Sequence, residues 1–147
     1  MLRVGIVGRV AFGKLADVMG AIPAYMTATA WMTLLIYGFI LINDLSTFYL
    51  YAPIYGFGYA GVMTGVLATV AAHTPPSRRG FAMGVVTMFG WFGHANGGGL
   101  GGYLYDITGG YAAAYGLAAL AGVLNLLVVA VLYWKIRGPG AASPVAA

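Results

Sequence analysis

The chain has 147 residues, of which 61% are hydrophobic and 7% charged, with a formal charge of +4. A soluble domain holds about 25% charged residues, so the composition excludes an ordinary soluble fold, and a mean hydropathy of +0.88 points to the bilayer. There is no cysteine, which excludes a disulfide framework and a thiolate metal site. The seven basic residues are spread between apolar runs, which is not the clustered pattern of a nucleic-acid surface.

In chain order, Met1–Phe12 is apolar but shorter than the ~20 residues that cross hydrocarbon. It reads as a helical stub, the end of a helix whose beginning is missing. No small-residue cleavage pattern follows it, as a secretory signal would require. Gly13–Gly20 reads as a tight basic–acidic loop. Ile22–Ile42 is a first span, with Pro23 near its start, where a missing N–H costs little. Asn43–Thr47 is a polar turn in which Ser46 or Thr47 can cap the next helix.

Phe48–Ala72 is a second span containing Pro53, a candidate kink. Thr74–Gly80 ends it, and Ser77 can cap the third span, Phe81–Tyr103, whose later half is glycine-rich. Asp106–Gly110 is a turn, Tyr111–Trp134 a fourth span, and residues 138–147 a disordered tail. Tyr49, Tyr103, Tyr105, Tyr111 and Trp134 fall at span ends, as an aromatic belt would.

Charge then orients the spans. Arg3, Arg9 and Lys14 precede the first span, Arg78 and Arg79 lie between the second and third, and Lys135 and Arg137 follow the fourth. The other two connections carry no basic residue and one aspartate each, Asp44 and Asp106. Basic loops stay cytoplasmic. The expectation is an all-α polytopic bundle over residues 1–137 in a cell membrane, with four full spans, a short amino-terminal stub and both termini cytoplasmic. Lipid is its surroundings, and no nucleic acid, metal or cofactor is expected.

Few residues could carry chemistry. His94 and Asn96 lie roughly 20 Å along the third span, at a depth where polar side chains face protein or a water-filled cavity. They could touch a substrate or only bond a neighbouring helix. Tyr51, Tyr55 and Tyr59 recur every fourth residue and put three hydroxyls on one helical face, for a pore or for core packing. Gly61/Gly65, Gly97/Gly101 and Gly98/Gly102 are small-x-x-x-small pairs, which let helices approach closely. They are expected to draw the second and third spans together. The chain has three acids, Asp17, Asp44 and Asp106, and none of the common hydrolase motifs, so an enzyme is not expected.

Gly13-Lys14-Leu15-Ala16-Asp17-Val18-Met19-Gly20 resembles the G-x-L-A-D-x-x-G signature loop of the major facilitator superfamily. Pro75–Gly80 follows as P-x-x-R-R-G. The string Gly101–Tyr111, GGYLYDITGGY, is similar to the segment before the last helix in monocarboxylate transporters and oxalate–formate antiporter relatives. The resemblance spans about residues 5–137. It implies the end of helix 8 and helices 9–12, half of a major-facilitator-type fold. It also implies secondary transport of a small organic anion by alternating access. Gly13, Asp17, Gly20, Arg78 and Arg79 would form the gating loops. Arg9 precedes Gly13 by four residues, like a helix-8 arginine of monocarboxylate transporters, and would bind the substrate carboxylate. The helix bearing Tyr51, Tyr55 and Tyr59 would line the pore.

On this reading the chain needs a missing amino-terminal transporter half and is inactive alone, as a truncated product or an assembly fragment. The alternative is a self-contained four-span protein that oligomerises, as a small exporter or a structural subunit. Small multidrug exporters use a membrane glutamate, and this chain has no glutamate.

Overall fold

The structure, a computed structural model, describes residues 2–137; Met1 and residues 138–147, where the disordered tail is expected, lie outside the described residues. Among the described residues every regular element is helical. They are α1 (Leu2–Met19), α2 (Ala21–Ile36) continued by a 3-10 segment (Tyr37–Leu41), α3 (Leu45–His73), α4 (Arg79–Thr108) after a 3-10 turn (Pro76–Arg78), and α5 (Ala112–Arg137). This is the all-α membrane bundle that the composition requires, because helices satisfy their backbone groups internally where water is absent.

Three stretches are long and apolar enough to cross a membrane: Ala21–Leu41, Leu45–His73 and Ala112–Arg137. Four were expected. Length is not what sets α4 apart, since its 30 residues reach ~45 Å. Its run of glycines, with His94 and Asn96, dilutes its apolar character.

The largest local correction concerns Gly13–Gly20. It is not a loop: α1 continues through Gly13, Lys14 and Asp17 to Met19. Lysine, leucine and alanine favour helix, and one glycine costs only about 1 kcal/mol. The turn contracts to Gly20, whose φ of 92° is a conformation that side chains disfavour.

The cap of α3 is Asp44 rather than Ser46 or Thr47. The Thr47 amide donates to its carboxylate at 2.7 Å, and this bond holds the Asp44 carboxyl below its usual value of 3.8. A depressed folded-state pKa gives stability that is present above the unfolded-state value and lost as pH falls through the folded one. Relative to the intrinsic rate at the same pH, hydrogen exchange at Thr47 should therefore be slow near neutrality and fast below about pH 4. Asp44→Ala should make it fast at both pH values; unaltered protection in that variant would refute the cap.

Two further boundaries move. Ser77 does not cap α4; Arg78 takes that position without a side-chain hydrogen bond. The expected Asp106–Gly110 turn begins later, because α4 runs through Asp106 to Thr108. Gly109 closes it with φ 71° and an N–H to the Tyr105 carbonyl at 2.8 Å, a left-handed cap that glycine adopts most readily.

Glycine governs the packing. A Cβ at Gly65 would lie 2.8 Å from the Tyr25 Cα, and one at Gly8 would lie 2.8 Å from the Phe57 carbonyl oxygen. The Phe12 ring covers Gly61, Trp31 covers Gly58, and Thr33 covers Gly122. Thus α3 meets α1 and α2, and α5 meets α2. The Gly61/Gly65 pair does lie at a close approach, but to α1 and α2 instead of the third span. At Gly97, Gly98, Gly101 and Gly102 a Cβ would meet nothing within 4 Å among the described residues.

Ile22, Tyr25 and Val129 form the buried cluster, with Val62, Val66 and Ile136 against it. At the other end of α2, Phe39 gathers Phe48, Tyr51, Tyr55 and Tyr115 at ring separations of 4.9–5.9 Å. The start of α2 thus lies by the end of α5, and the end of α2 by the starts of α3 and α5. Lys14, Arg78, Arg79, Lys135 and Arg137 fall toward one end of the bundle, Asp44 and Asp106 toward the other.

Candidate functional site

A cleft of about 740 Å³ separates α3 from α4, with α2 and α5 contributing to its wall. α3 supplies Tyr55, Tyr59, Val62, Met63, Val66 and Leu67; α4 supplies Val86, Thr87, Phe89, Gly90, Gly93, His94 and Gly97. Tyr25, Met32 and Asn125 come from α2 and α5. The cleft exists because α4 stands off: it has no buried residue, and its glycines leave its backbone bare where side chains could have filled the space.

Two polar pairs line this apolar space. The Asn125 amide donates to the Tyr25 hydroxyl at 2.8 Å, joining α5 to α2. Tyr59 and His94 join α3 to α4 through the tyrosine oxygen and Nε2, 2.7 Å apart. His94 Nδ1 is 2.8 Å from the Gly90 carbonyl of its own helix. A carbonyl only accepts, so Nδ1 carries the hydrogen, and Nε2 accepts from the Tyr59 hydroxyl. Apolar walls with a few placed polar groups are the usual make-up of a small-molecule pocket.

The sequence candidates divide among different places. Tyr55, Tyr59 and His94 meet at the cleft. Tyr51 shares their helical face but is used structurally, its hydroxyl donating to the Leu35 carbonyl at 2.6 Å, an oxygen that also accepts the Tyr37 backbone N–H. Asn96 donates to Phe92 of its own helix at 2.8 Å and does not line the cleft. Arg9 is exposed and also off the cleft. The adjacent Gly8 packs on Phe57 and Ala60, which sets Arg9 at the level of the Tyr59–His94 pair.

Of the residues expected in gating loops, Gly13 and Asp17 stand within α1, Gly20 is the turn, and Arg78 is exposed. Arg79 Nε is enclosed without a hydrogen-bond partner among the described residues. Sequence reasoning missed Tyr25, Thr87 and Asn125. Asn125 had a signal: it is the lone polar residue in LAGVLNLLVVAV, and a polar residue in a span calls for a partner.

Helices long enough to cross a bilayer, joined by short turns and enclosing an amphipathic cleft, define a multi-pass membrane protein. The Major Facilitator Superfamily model matches residues 2–146. That is nearly the whole chain, and the chain belongs to the Major Facilitator Superfamily, a family of membrane transport proteins that are generally not enzymes. Neither a curated protein nor a solved structure matches it.

Proposed function

We propose that this chain forms part of an antiporter for small organic anions, of monocarboxylate or oxalate–formate type. The observation that carries the reading is Arg9. It is exposed, yet it lies level with the middle of α3. A guanidinium turned to hydrocarbon at that depth is costly, by about 3 kcal/mol even on lenient scales. That face of α1 is better matched to a water-filled cavity or to further protein, where the guanidinium meets a carboxylate with a bidentate fork. The five α-helices among the described residues are also fewer than one six-helix half of this fold. We therefore read the chain as acting with further helices, including a partner half, and rocking around a midplane site.

The test is equilibrium binding of labelled oxalate, formate, lactate and pyruvate to the chain in lipid nanodiscs, with a neutral sugar as control. Binding of at least one anion and not the sugar is expected. Binding of none, by the chain alone or by the assembled transporter, would remove the anion reading. Proteoliposomes holding the chain alone should show no uptake, and uptake by the chain alone would favour the self-contained oligomer.

For orientation, the basic end is the cytoplasmic end of a cell membrane. Single cysteines replacing Asp44 or Asp106 should react with an impermeant maleimide from outside, and Ser77→Cys only after permeabilisation. Reaction of Ser77→Cys from outside alone would invert the topology.

A further inference from the structure

We propose that the carboxyl-terminal end of α5 holds an anionic phospholipid, with the headgroup phosphate at Lys135 and Arg137 and an acyl chain along the outer face of the helix. The site needs only that the chain sits in a bilayer, and it is independent of the organic-anion reading above.

Successive residues of a helix are turned by about 100°. On α5 this puts Asn125, Val129, Tyr133 and Ile136 on one face. That is the face that packs: Asn125 bonds Tyr25, and Tyr133 and Ile136 lie against the cluster of Ile22, Tyr25 and Val129. Leu120, Leu124, Leu127, Val131 and Trp134 share the opposite face, and all five are exposed. From Leu120 to Trp134 this apolar track runs about 21 Å, longer than the ~15 Å of hydrocarbon in one leaflet. It ends in Trp134, which is 78% exposed, and an amphipathic indole favours the level of the headgroups. Around the helix, Lys135 flanks Trp134 on one side and Arg137 on the other. Two cations frame the end of an apolar track, which matches an amphiphile with an anionic head.

Arg137 is held ready for that head. Its guanidinium lies 4.7 Å from the centroid of the Tyr133 ring, and Tyr133 is itself packed on the buried cluster. A side chain already placed loses less freedom on binding. The sequence of α5 contains no acid to neutralise the pair. Asp17 is the lone acid toward the basic end, against Lys14, Arg78, Arg79, Lys135 and Arg137. The surplus charge favours an anion, and basic residues beside a membrane span attract anionic lipid. A guanidinium also meets a phosphate with two parallel hydrogen bonds. A second copy of this chain is the poorer occupant of the track. Two copies meeting side by side along this face would set their Lys135 and Arg137 ends together, like charge against like charge.

The test is native mass spectrometry of the 147-residue chain released from nanodiscs. The discs hold phosphatidylglycerol and phosphatidylcholine in equal amounts, with identical acyl chains. Wild type should retain phosphatidylglycerol over phosphatidylcholine on the order of tenfold. The double variant Lys135→Gln, Arg137→Gln should bring that ratio close to one. Arg137→Lys should keep a reduced preference, since lysine offers the charge without the fork. The double variant Lys14→Gln, Arg78→Gln removes as many charges from the same end and should leave the preference in place. Equal retention of the two lipids by wild type would overturn the site. An equal loss of preference in both double variants would overturn it too, by tracing the effect to the net charge of the whole end. Inorganic phosphate or glycerol phosphate in large excess should not displace the lipid; displacement would make this a site for a free anion instead. A lipid-free dimer as the main species would give the outer face of α5 to a second copy.

Discussion

Gly65→Ala should lower the melting temperature of the chain by several degrees, whereas Gly98→Ala should leave it level or raise it. The two positions look alike in the sequence, each one glycine of a small-x-x-x-small pair. They differ in what a single added carbon meets. At Gly65 it would lie 2.8 Å from the Tyr25 Cα and 2.9 Å from its Cβ, well inside contact distance. That neighbour is main chain in the most buried stretch of α2, where Ile22, Ala24, Tyr25, Ala28 and Thr29 are enclosed. It cannot rotate aside as a side-chain tip would. Two helices must move apart, at about 1–3 kcal/mol, typical of overpacking a core.

Tyr25 also holds Asn125 across the bundle, so the shift should loosen α5 as well. At Gly98 the carbon meets nothing within 4 Å, and alanine favours helix over glycine by up to ~1 kcal/mol. Thermal unfolding in matched detergent, with both variants beside wild type, checks this. Equal destabilisation would mean that Gly98 packs on something outside the described residues, and no change at Gly65 would refute the crossing geometry.

Arg9→Gln should cut carboxylate transport on the order of a hundredfold, and Arg9→Lys on the order of tenfold, with membrane insertion retained. A carboxylate gains two parallel charge-assisted hydrogen bonds from guanidinium, a point charge from lysine, and neither charge nor fork from glutamine. Insertion should survive because Arg9 is exposed and the tight contact on α3 is made by the adjacent Gly8. Uptake of labelled oxalate, formate, lactate and pyruvate by the assembled transporter, with expression measured in parallel, provides the readout. Unchanged uptake in Arg9→Gln would reduce Arg9 to a topology determinant. The Tyr55, Tyr59 and His94 wall of the cleft would then remain as the substrate site.

Some of this protein follows from its sequence alone. Apolar runs of span length force helices, because hydrocarbon offers the backbone no partner. Glycine, proline and aspartate near the run ends place the turns to within a few residues. Gly20, Asp44 and Gly109 show why the last residues escaped: local propensity let α1 and α4 run past the polar stretches that looked like loops. The four-residue tyrosine spacing correctly put Tyr51, Tyr55 and Tyr59 on one face.

The tertiary structure decided which of these residues share a site. A helical face says nothing about its neighbour, so Tyr51 could end on the Leu35 carbonyl while Tyr59, two turns along, found His94. Tyr25 and Asn125 are 100 positions apart, a pairing set only by how α5 lies on α2. Glycine pairs mark where close approach is possible, not where it happens. It happens at Gly65 because Tyr25 is there, and at Gly98 none of the described residues comes within 4 Å of an added Cβ. Side-chain periodicity is a property of one helix, and a cleft is a property of the space between several.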